Sequence, residues 1–544
     1  VTRILLITIV LILFTRAVSG QAQTNPVTYV PLDDDAYWQL KRFEVQGYLR
    51  QPISQTRPIS RADVQRALRD LNHQQETGQI QLTAVERGVL ANLNRRFLPS
   101  DSLEPHLFSW HDPHHTAVFD LLADMRVIAQ SRSDDSSSVG IYTTLGAELS
   151  GAILDNHLGF YARSVNVREY TSGDDLPRTD NYFRDFEFGG VSTAYYDRTE
   201  AYLLAKVGSA GQNISLLAGK YQLIFGPGYR GQLTLSDHAG SYPLIHCNLQ
   251  LGRIQFTSFT AFLKSMEIDS LRSYRVENRN RILYRQKYMA GHRIEIQVHP
   301  RLQLGLEETV IYGDRGIDVG YLIPVMFFRS YEHYLNDPDN VGWGIDWSWR
   351  FHDNWQVYGE IFIDDLSLSK IGTTWWGNKQ AFLGGLYAVR PFGLGNTEFR
   401  LEAVRINPWV YTHFFPVNRY THDNLGLGHE LGPDVLSLFG EIRQYISWRW
   451  WVKLGTEWVQ AGEGGRGGDI FDIHRDDVHG ESATFLGGTV EDQKTITAET
   501  EFILIPHVLD FHFSYTYTRF ENYRHHLDRD LNRQMYKFRI RGNW

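Results

Sequence analysis

The last forty or so residues restrict this chain more than any other stretch. From Val508 to Phe520 the side chains alternate strictly. Leu509, Phe511, Phe513, Tyr515 and Tyr517 fall on one side of a period-2 repeat, and Asp510, His512, Ser514, Thr516 and Thr518 fall on the other. The segment from Gln534 to Trp544 repeats the pattern, with Tyr536, Phe538 and Ile540 opposite Lys537, Arg539 and Arg541 and an aromatic residue at the end. Each ribbon is oily on one face and wet on the other. With the N-terminal features below, this predicts strands of a bacterial outer-membrane barrel, apolar side to lipid and polar side to an aqueous lumen.

At the other end, Arg3 precedes an apolar run from Ile4 to Phe14, and the small residues Val18, Ser19, Gly20 and Ala22 follow as cleavage positions. This reads as a secretory signal peptide over 1–22. The apolar core is too short for an uncleaved anchor, which takes about 20 residues. No Cys lies near the cleavage region, which excludes a lipid-anchored lipoprotein. No later stretch approaches a spanning hydrophobic helix, so any further membrane contact must come from β-structure. A barrel strand hides half its residues in water, which accommodates a mean hydropathy of −0.34. The single Cys247 permits no internal disulfide. Net charge −9 and a pI near 6.2 argue against a nucleic-acid partner. A large barrel uses 544 residues as one unit.

Residues 33 to 98 carry the strong helical periodicity. Asp33, Asp34 and Asp35 can cap a helix showing Tyr37, Leu40 and Phe43 on one side. Ser60 with Asp63 resembles a capping box ahead of Val64, Ala67, Leu68 and Leu71, and Thr83 with Glu86 opens a third helix with Val85, Val89, Leu93 and Phe97. None is long enough to stand alone. We expect a small periplasmic helical bundle that, with the linker Pro99 to Pro113, fills residues 23–113. His111, Asp112, His114 and His115 there invite a metal reading, but a His-rich connector beside prolines reads as a polar loop.

From 114 to 544 the chain keeps the beat of an all-β transmembrane barrel. Six strand-like runs are expected near 117–129, 139–153, 156–167, 189–196, 200–208 and 213–221, and twelve from Ile254 onward, about eighteen antiparallel strands in all. Connections alternate between short ones, at His299 and Pro300, Asp353, Pro391 to Gly395, Trp448 and Pro506, and long polar, Gly-rich or aromatic ones. Short turns at one end and long loops at the other are a barrel's asymmetry. A propeller or solenoid would show a fixed repeat length, and none is found. By strand direction, the run ending at Tyr221 points to the periplasm. Residues 222–253 would then leave from that end, either folding into the lumen and narrowing it or hiding two more strands.

Within that region, Gly226, Pro227 and Gly228 enforce a turn, after which Tyr229, Arg230, Ser236, Asp237 and His238 form a stretch too polar for lipid. Ser236, Asp237 and His238 suggest a hydrolase, but neighbours on an extended chain point to opposite sides, and the chain has no Gly-x-Ser-x-Gly elbow. The paired carboxylates Asp364 and Asp365 diverge for the same reason and do not make a glycosidase. No catalytic residue and no cofactor are expected.

Three stretches resemble the Wzi-like capsule assembly proteins of bacterial outer membranes. They are PLDDDAYWQLKRFEVQGYLRQP followed by RPISRADVQRAL, then GPGYRGQLTLSDHA, then YLIPVMFFRSYEHYLNDPDNVGWGIDWSWRFHDNWQVYGEIFIDD. The resemblance implies a barrel of about eighteen strands with a periplasmic helical bundle, and a lectin-like role in holding capsular polysaccharide at the cell surface. The partners it implies are capsular or extracellular polysaccharide, outer-membrane lipid and the polysaccharide export machinery.

Independently of the resemblance, sugar recognition needs flat aromatic faces for the C–H surface of the ring and polar groups for its hydroxyls. Trp375 and Trp376, with Trp409, Tyr411, Phe414 and Phe415 in the 407–436 loop, offer the first, and Arg419, Asp423 and Asn424 the second. The competing reading places these aromatics in an interfacial girdle. Glu463, Asp469, Asp472, Asp476 and Asp477, with His474 and His479, form a Gly-rich acidic loop that reads as solvated rather than as a calcium site. Non-enzymatic polysaccharide attachment is the first functional expectation. A channel for sugars or exported polymer is its alternative, since Glu499, Glu501, Arg400 and Lys494 suit any wet lumen.

Overall fold

The computed structural model describes residues 27–98, 106–112, 114–173, 176, 186–190, 193–209, 211–336, 338–365 and 367–544. The expected signal peptide over 1–22 lies outside the described residues.

Eighteen long antiparallel strands close into a barrel. The first six are β1 (Thr116–Arg132), β2 (Ser137–Ile153), β3 (Leu158–Ser172), β4 (Thr193–Ser209), β5 (Gln212–Tyr221) and β6 (Tyr242–Leu251). The next six are β7 (Ile254–Leu263), β8 (Lys287–His299), β9 (Leu302–Gly313), β10 (Asn340–His352), β11 (Trp355–Asp365) and β12 (Lys379–Val389). The last six are β13 (Thr397–Ile406), β14 (Val435–Ser447), β15 (Trp450–Ala461), β16 (Glu491–Ile505), β17 (Leu509–Glu521) and β18 (Leu531–Asn543). The seam joins β18 to β1, from Arg533 opposite Arg132 to Asn543 opposite Leu122. Two short strands, Phe108–His111 and Phe186–Gly190, add to β1 and β4.

Alternation decides which side of the wall each residue takes. Leu306, Leu401, Leu454, Ile496 and Phe513 are exposed on the outside, while Glu307, Glu402, Glu441 and Ser514 are buried within. An exposed apolar band around a polar interior is what a bilayer solvates. Among the described residues, no helix is long and apolar enough to cross a membrane. One end of the barrel carries short turns such as 252–253, 300–301, 353–354 and 448–449, and the other carries 222–241, 264–286, 314–339, 407–434 and 462–490.

The expected strand number holds, through two offsetting differences. The run expected at 200–208 and residues 193–196 of the run expected at 189–196 form one strand, β4, because Arg198 and Glu200 in the polar stretch between them are lumen-facing residues rather than a turn; Gly189 and Gly190 belong to the short strand paired with it. Conversely, 242–251 is strand β6, despite Pro243 near its start. One fewer strand ahead of Tyr221 reverses β5, so 222–241 leaves from the long-loop end, not the short-turn end, and folds back into the lumen.

At the short-turn end sit α1 (Ala36–Val45), α2 (Arg61–Glu76) and α3 (Ala84–Phe97). Thr83 and Glu86 form the reciprocal capping box, and Ser60 accepts from the Asp63 N–H. Their apolar stripes, including Leu40, Phe43, Leu68 and Leu93, meet Tyr445 and Trp451 of the wall in one core. Charge is buried there too. Arg42 lies 3.5 Å from Glu86 and 3.6 Å from Glu398, with its guanidinium over the Tyr445 ring. Arg390, in the turn between β12 and β13, also pairs with Glu86. The helices are thus bonded to the barrel mouth rather than hanging below it.

Candidate functional site

The lumen holds the first part of the site. Residues 222–241 pack Leu223, Phe225, Leu233 and Leu235 against wall residues such as Phe259, Phe362 and Leu383 in the largest apolar core. Two wall carboxylates grip the segment's backbone. Glu360 of β11 accepts from Gly228 N–H and Leu233 N–H, both at 2.7 Å, and Glu402 of β13 accepts from Tyr229 N–H and Arg230 N–H, both at 2.8 Å. Gly226 is required where it stands: its φ of +112° is unfavourable for a side chain, and a Cβ would lie 2.4 Å from a Glu360 oxygen.

Four of the five residues singled out in this segment have an internal partner. The Tyr229 hydroxyl donates to Glu441 at 3.1 Å, and the Arg400 guanidinium lies over its ring at 3.9 Å. Arg230 donates to Glu457 at 3.1 Å. The buried Ser236 hydroxyl donates to the Gly428 carbonyl at 2.5 Å, and its oxygen receives the His238 N–H at 3.2 Å. Asp237 points to the exposed side. Ser236 is therefore engaged as a tether and meets neither neighbour's side chain as a base.

A second segment of the chain reaches the same place from the opposite mouth. Residues 53–58, between α1 and α2, enter from the short-turn end, where Thr56 and Arg57 pair antiparallel with Phe225 and Ile224. Glu295 of β8 holds this finger by accepting from Gln55 N–H at 3.0 Å and Thr56 N–H at 3.1 Å. Beside it Arg293, fully buried, pairs with Glu307 and Asp346 and donates to Thr56 at 2.9 Å. Sequence reasoning missed the finger, which is too short to show a period. A signal was available in the charges of inward positions, Glu295, Glu360 and Glu402, which need partners once the lumen is filled.

At the long-loop end, backbone bonds knit three loops together. In 366–378, Trp376 N–H donates to Glu481 O at 3.1 Å and Thr374 O accepts from Ala483 N–H at 2.8 Å, while Trp409 N–H donates to Gly467 O at 3.0 Å. The Trp376 ring lies flat on His474, with centroids 3.7 Å apart and planes 8° from parallel. Trp409 meets the edges of His474 and His479 at 4.9 and 5.0 Å. Burial, with His479 alongside, holds the His474 imidazole below its ordinary pKa, keeping the stacked ring neutral. Trp375 is partly exposed, with the Lys370 ammonium 4.7 Å from its centroid.

The expected sugar-facing residues therefore divide. Trp375 and Trp376 stand at the surface. Trp409 and Tyr411, 2 % and 1 % exposed, lie beneath it. Tyr411 donates to Leu233 O at 2.6 Å and its N–H to Asp364 at 2.8 Å, which ties the loop to the lumen segment. Arg419 reaches Glu267 at 3.3 Å and Phe471 O at 3.1 Å, and Asp423 N–H donates to Lys264 O at 2.9 Å, so both clamp neighbouring loops. In the acidic loop, Asp472 accepts from Gly465, Gly467 and Asp469 N–H groups, and Glu463 from Thr489 N–H. Near 112–115, Asp112 caps His114 and His115.

Comparison with known proteins gives a family and a fold. The family model described as capsule assembly protein Wzi matches residues 133–533. No curated protein sequence matches significantly. Among solved structures, the chain is similar to Wzi of Escherichia coli, described as an outer-membrane protein involved in group 1 capsule assembly and a carbohydrate-binding β-barrel. The two share 14 % identity at a TM-score of 0.57, over 94 % of this chain and 98 % of that one. A more distant likeness is to the outer-membrane protein OprD of Pseudomonas aeruginosa, at 9 % identity and a TM-score of 0.44 over 79 % of this chain and 93 % of that one.

Proposed function

Because this chain belongs to the Wzi family of capsule assembly proteins, we propose that it is a non-enzymatic surface receptor that attaches or organises capsular or extracellular polysaccharide. It does so at the long-loop end of an outer-membrane barrel, with the helices α1 to α3 in the periplasm. The observation that carries this reading is the tryptophan platform. Trp376 is held at the surface by a flat histidine stack, and Trp375 beside it by the loop-to-loop pairing of its backbone with Ser482, above a lumen occupied by residues 222–241. A rigid aromatic face costs little conformational entropy when a sugar ring settles on it. Exposed carboxylates beside it, Glu481 and Asp476, supply acceptors for hydroxyls. Trp409 and Tyr411 act from beneath by fixing the loop, as do Arg419 and Asp423. Handing over of polymer by the export machinery at this end follows from the same reading.

A transport reading would need the lumen cleared, and its occupant is anchored by four backbone hydrogen bonds to Glu360 and Glu402. The experiment is binding of whole capsular polymers and glycan arrays to refolded protein, with Trp375→Ala/Trp376→Ala beside it. We expect the double variant to retain its fold and to lose about tenfold or more in affinity, the scale of two stacking contacts. Equal binding by the variant, or binding by neither protein, would remove the proposal.

A further inference from the structure

The loop 314–339 between β9 and β10 is built inside out for a loop in water. It contains two short helices, α4 (Val319–Leu322) and α5 (Phe328–Tyr334). Rather than rising from the rim, it lies against the outer face of the barrel. Tyr288, Ala290, Val310, Tyr312 and Val341, all outward-facing by strand alternation, are buried under its Tyr321 and Phe328.

Three carboxylates of the loop, Asp318, Glu332 and Asp339, turn inward and are satisfied there. Asp318 accepts from Gly320 N–H at 3.0 Å and Tyr331 hydroxyl at 2.7 Å. Asp339 accepts from Arg315 at 2.6 Å and Tyr321 hydroxyl at 2.8 Å. The buried Glu332 takes Arg329 at 2.6 Å. What remains outside along 319–327 is apolar: Val319, Leu322, Ile323, Val325 at 84 % exposure and Phe327 at 57 %, with the exposed polar Asp314 and Asn336 confined to the ends where the loop leaves and rejoins the barrel. Ser330 and His333, three residues apart, make a polar stripe on α5.

Beneath the loop is the reason it stays down. Glu308 of β9 is outward-facing, in line with the exposed Leu304 and Leu306, and a carboxylate there would face lipid. It is instead covered and saturated, accepting from Phe328 N–H at 2.8 Å, Arg329 N–H at 2.9 Å and the Trp343 indole at 2.8 Å, with His292 3.3 Å away. In register, Glu308 stands opposite Trp343 and Trp343 opposite Ile363, so the covered patch is level with outward apolar wall.

We infer that the 314–339 hairpin is seated in the outer leaflet, its exposed apolar residues in contact with lipid acyl chains. The patch is continuous with the lipid-facing band through Leu306 and Ile345. Its polarity is reversed as lipid solvent demands, and α5 carries the single polar stripe of a helix lying in the interfacial plane. Glu308 pins this hairpin to the wall.

Spin labelling tests the inference. In a Cys247→Ser background, a nitroxide at Val325→Cys in lipid vesicles is compared with one at Leu306→Cys on the wall and one at Leu271→Cys in the 264–286 loop. We expect the Val325 label to collide with oxygen and not with a water-soluble nickel chelate, like Leu306 and opposite to Leu271. Nickel accessibility equal to that at Leu271 would overturn the inference, and so would inaccessibility to both reagents, which would mean that a second copy covers the patch. Adding Glu308→Ala should free the Val325 label while the barrel keeps its heat-modifiable migration on gels. An unchanged label would overturn the pinning role.

Discussion

Two sides of the same lumen are built on different rules. Along β8 to β14 the wall faces protein: Glu295, Glu360 and Glu402 grip backbone N–H groups of the finger and the lumen segment, and Arg293 sits fully buried between Glu307 and Asp346. Along β16 to β18 and β1 to β3 the wall faces a cavity of about 460 Å³, between the helices and the strands. Its charges pair side chain to side chain: Arg539 with Asp124, Arg541 with Asp510 at 2.8 Å, and Arg163 with Asp33 at 3.1 Å. Both regions are polar in sequence, and nothing in their alternation distinguishes them. The difference is in what the charges hold. On the first side Glu295, Glu360 and Glu402 each specify a backbone position and Arg293 is sealed among its partners, so water cannot replace them; on the second, water is the alternative partner.

The sharpest way to break this contrast is Glu360→Ala, which leaves two buried N–H groups without an acceptor. We expect a loss of about 2–6 kcal/mol, from about one to three for each of the two stranded donors, read from urea unfolding in bilayers, together with channel openings in planar membranes as the lumen segment loosens. An effect no larger than that of a cavity-side variant would erase the distinction.

A pH titration gives an intermediate effect. His422 and His429, in the 407–434 loop that covers the filled side, are buried neutral, and burial, reinforced by nearby Lys287 and Lys264 for His422 and by Arg230 for His429, depresses each pKa to about 3. Unfolded imidazoles titrate near 6.5, so between about pH 6.5 and 3 the unfolded loop binds more protons. The stability these rings contribute is complete above that window and is lost as pH falls, by up to about 1.4 kcal/mol per ring per pH unit. Protease nicking of 407–434 should rise between pH 6 and 4, and a flat profile would contradict the burial argument.

The smallest effect belongs to the wet side. Arg541→Ala removes a partly solvated pair with Asp510 and should cost within about 1 kcal/mol, with unfolding midpoints close to those of the parent protein and no channel activity.

How much of this was legible in the sequence follows from the range of each interaction. Alternation is local, so the faces of the strands around Phe513 and Phe538 could be read directly, as could the Thr83–Glu86 capping box. The strand number was reached by splitting β4 at Arg198 and overlooking β6 behind Pro243, which shows that counting runs is weaker than reading faces. For the site, Trp375 and Trp376 look no different in sequence from Trp409 and Tyr411. Only the packing of 407–434 on the lumen segment puts one pair at the surface and the other below. The finger at Thr56 and the outward Glu308 depend on partners more than a hundred residues away and about twenty residues away respectively, beyond any periodic signal.

The meeting of Thr56 and Arg57 with Phe225 and Ile224 also bears on the order of assembly. Both partners precede β6 in the chain, so thirteen of the eighteen staves are still to come when the pieces of the stopper have emerged. A cask whose last joint, between β18 and β1, shut on an empty interior would still have to draw in one piece of its stopper through each mouth before the two could meet.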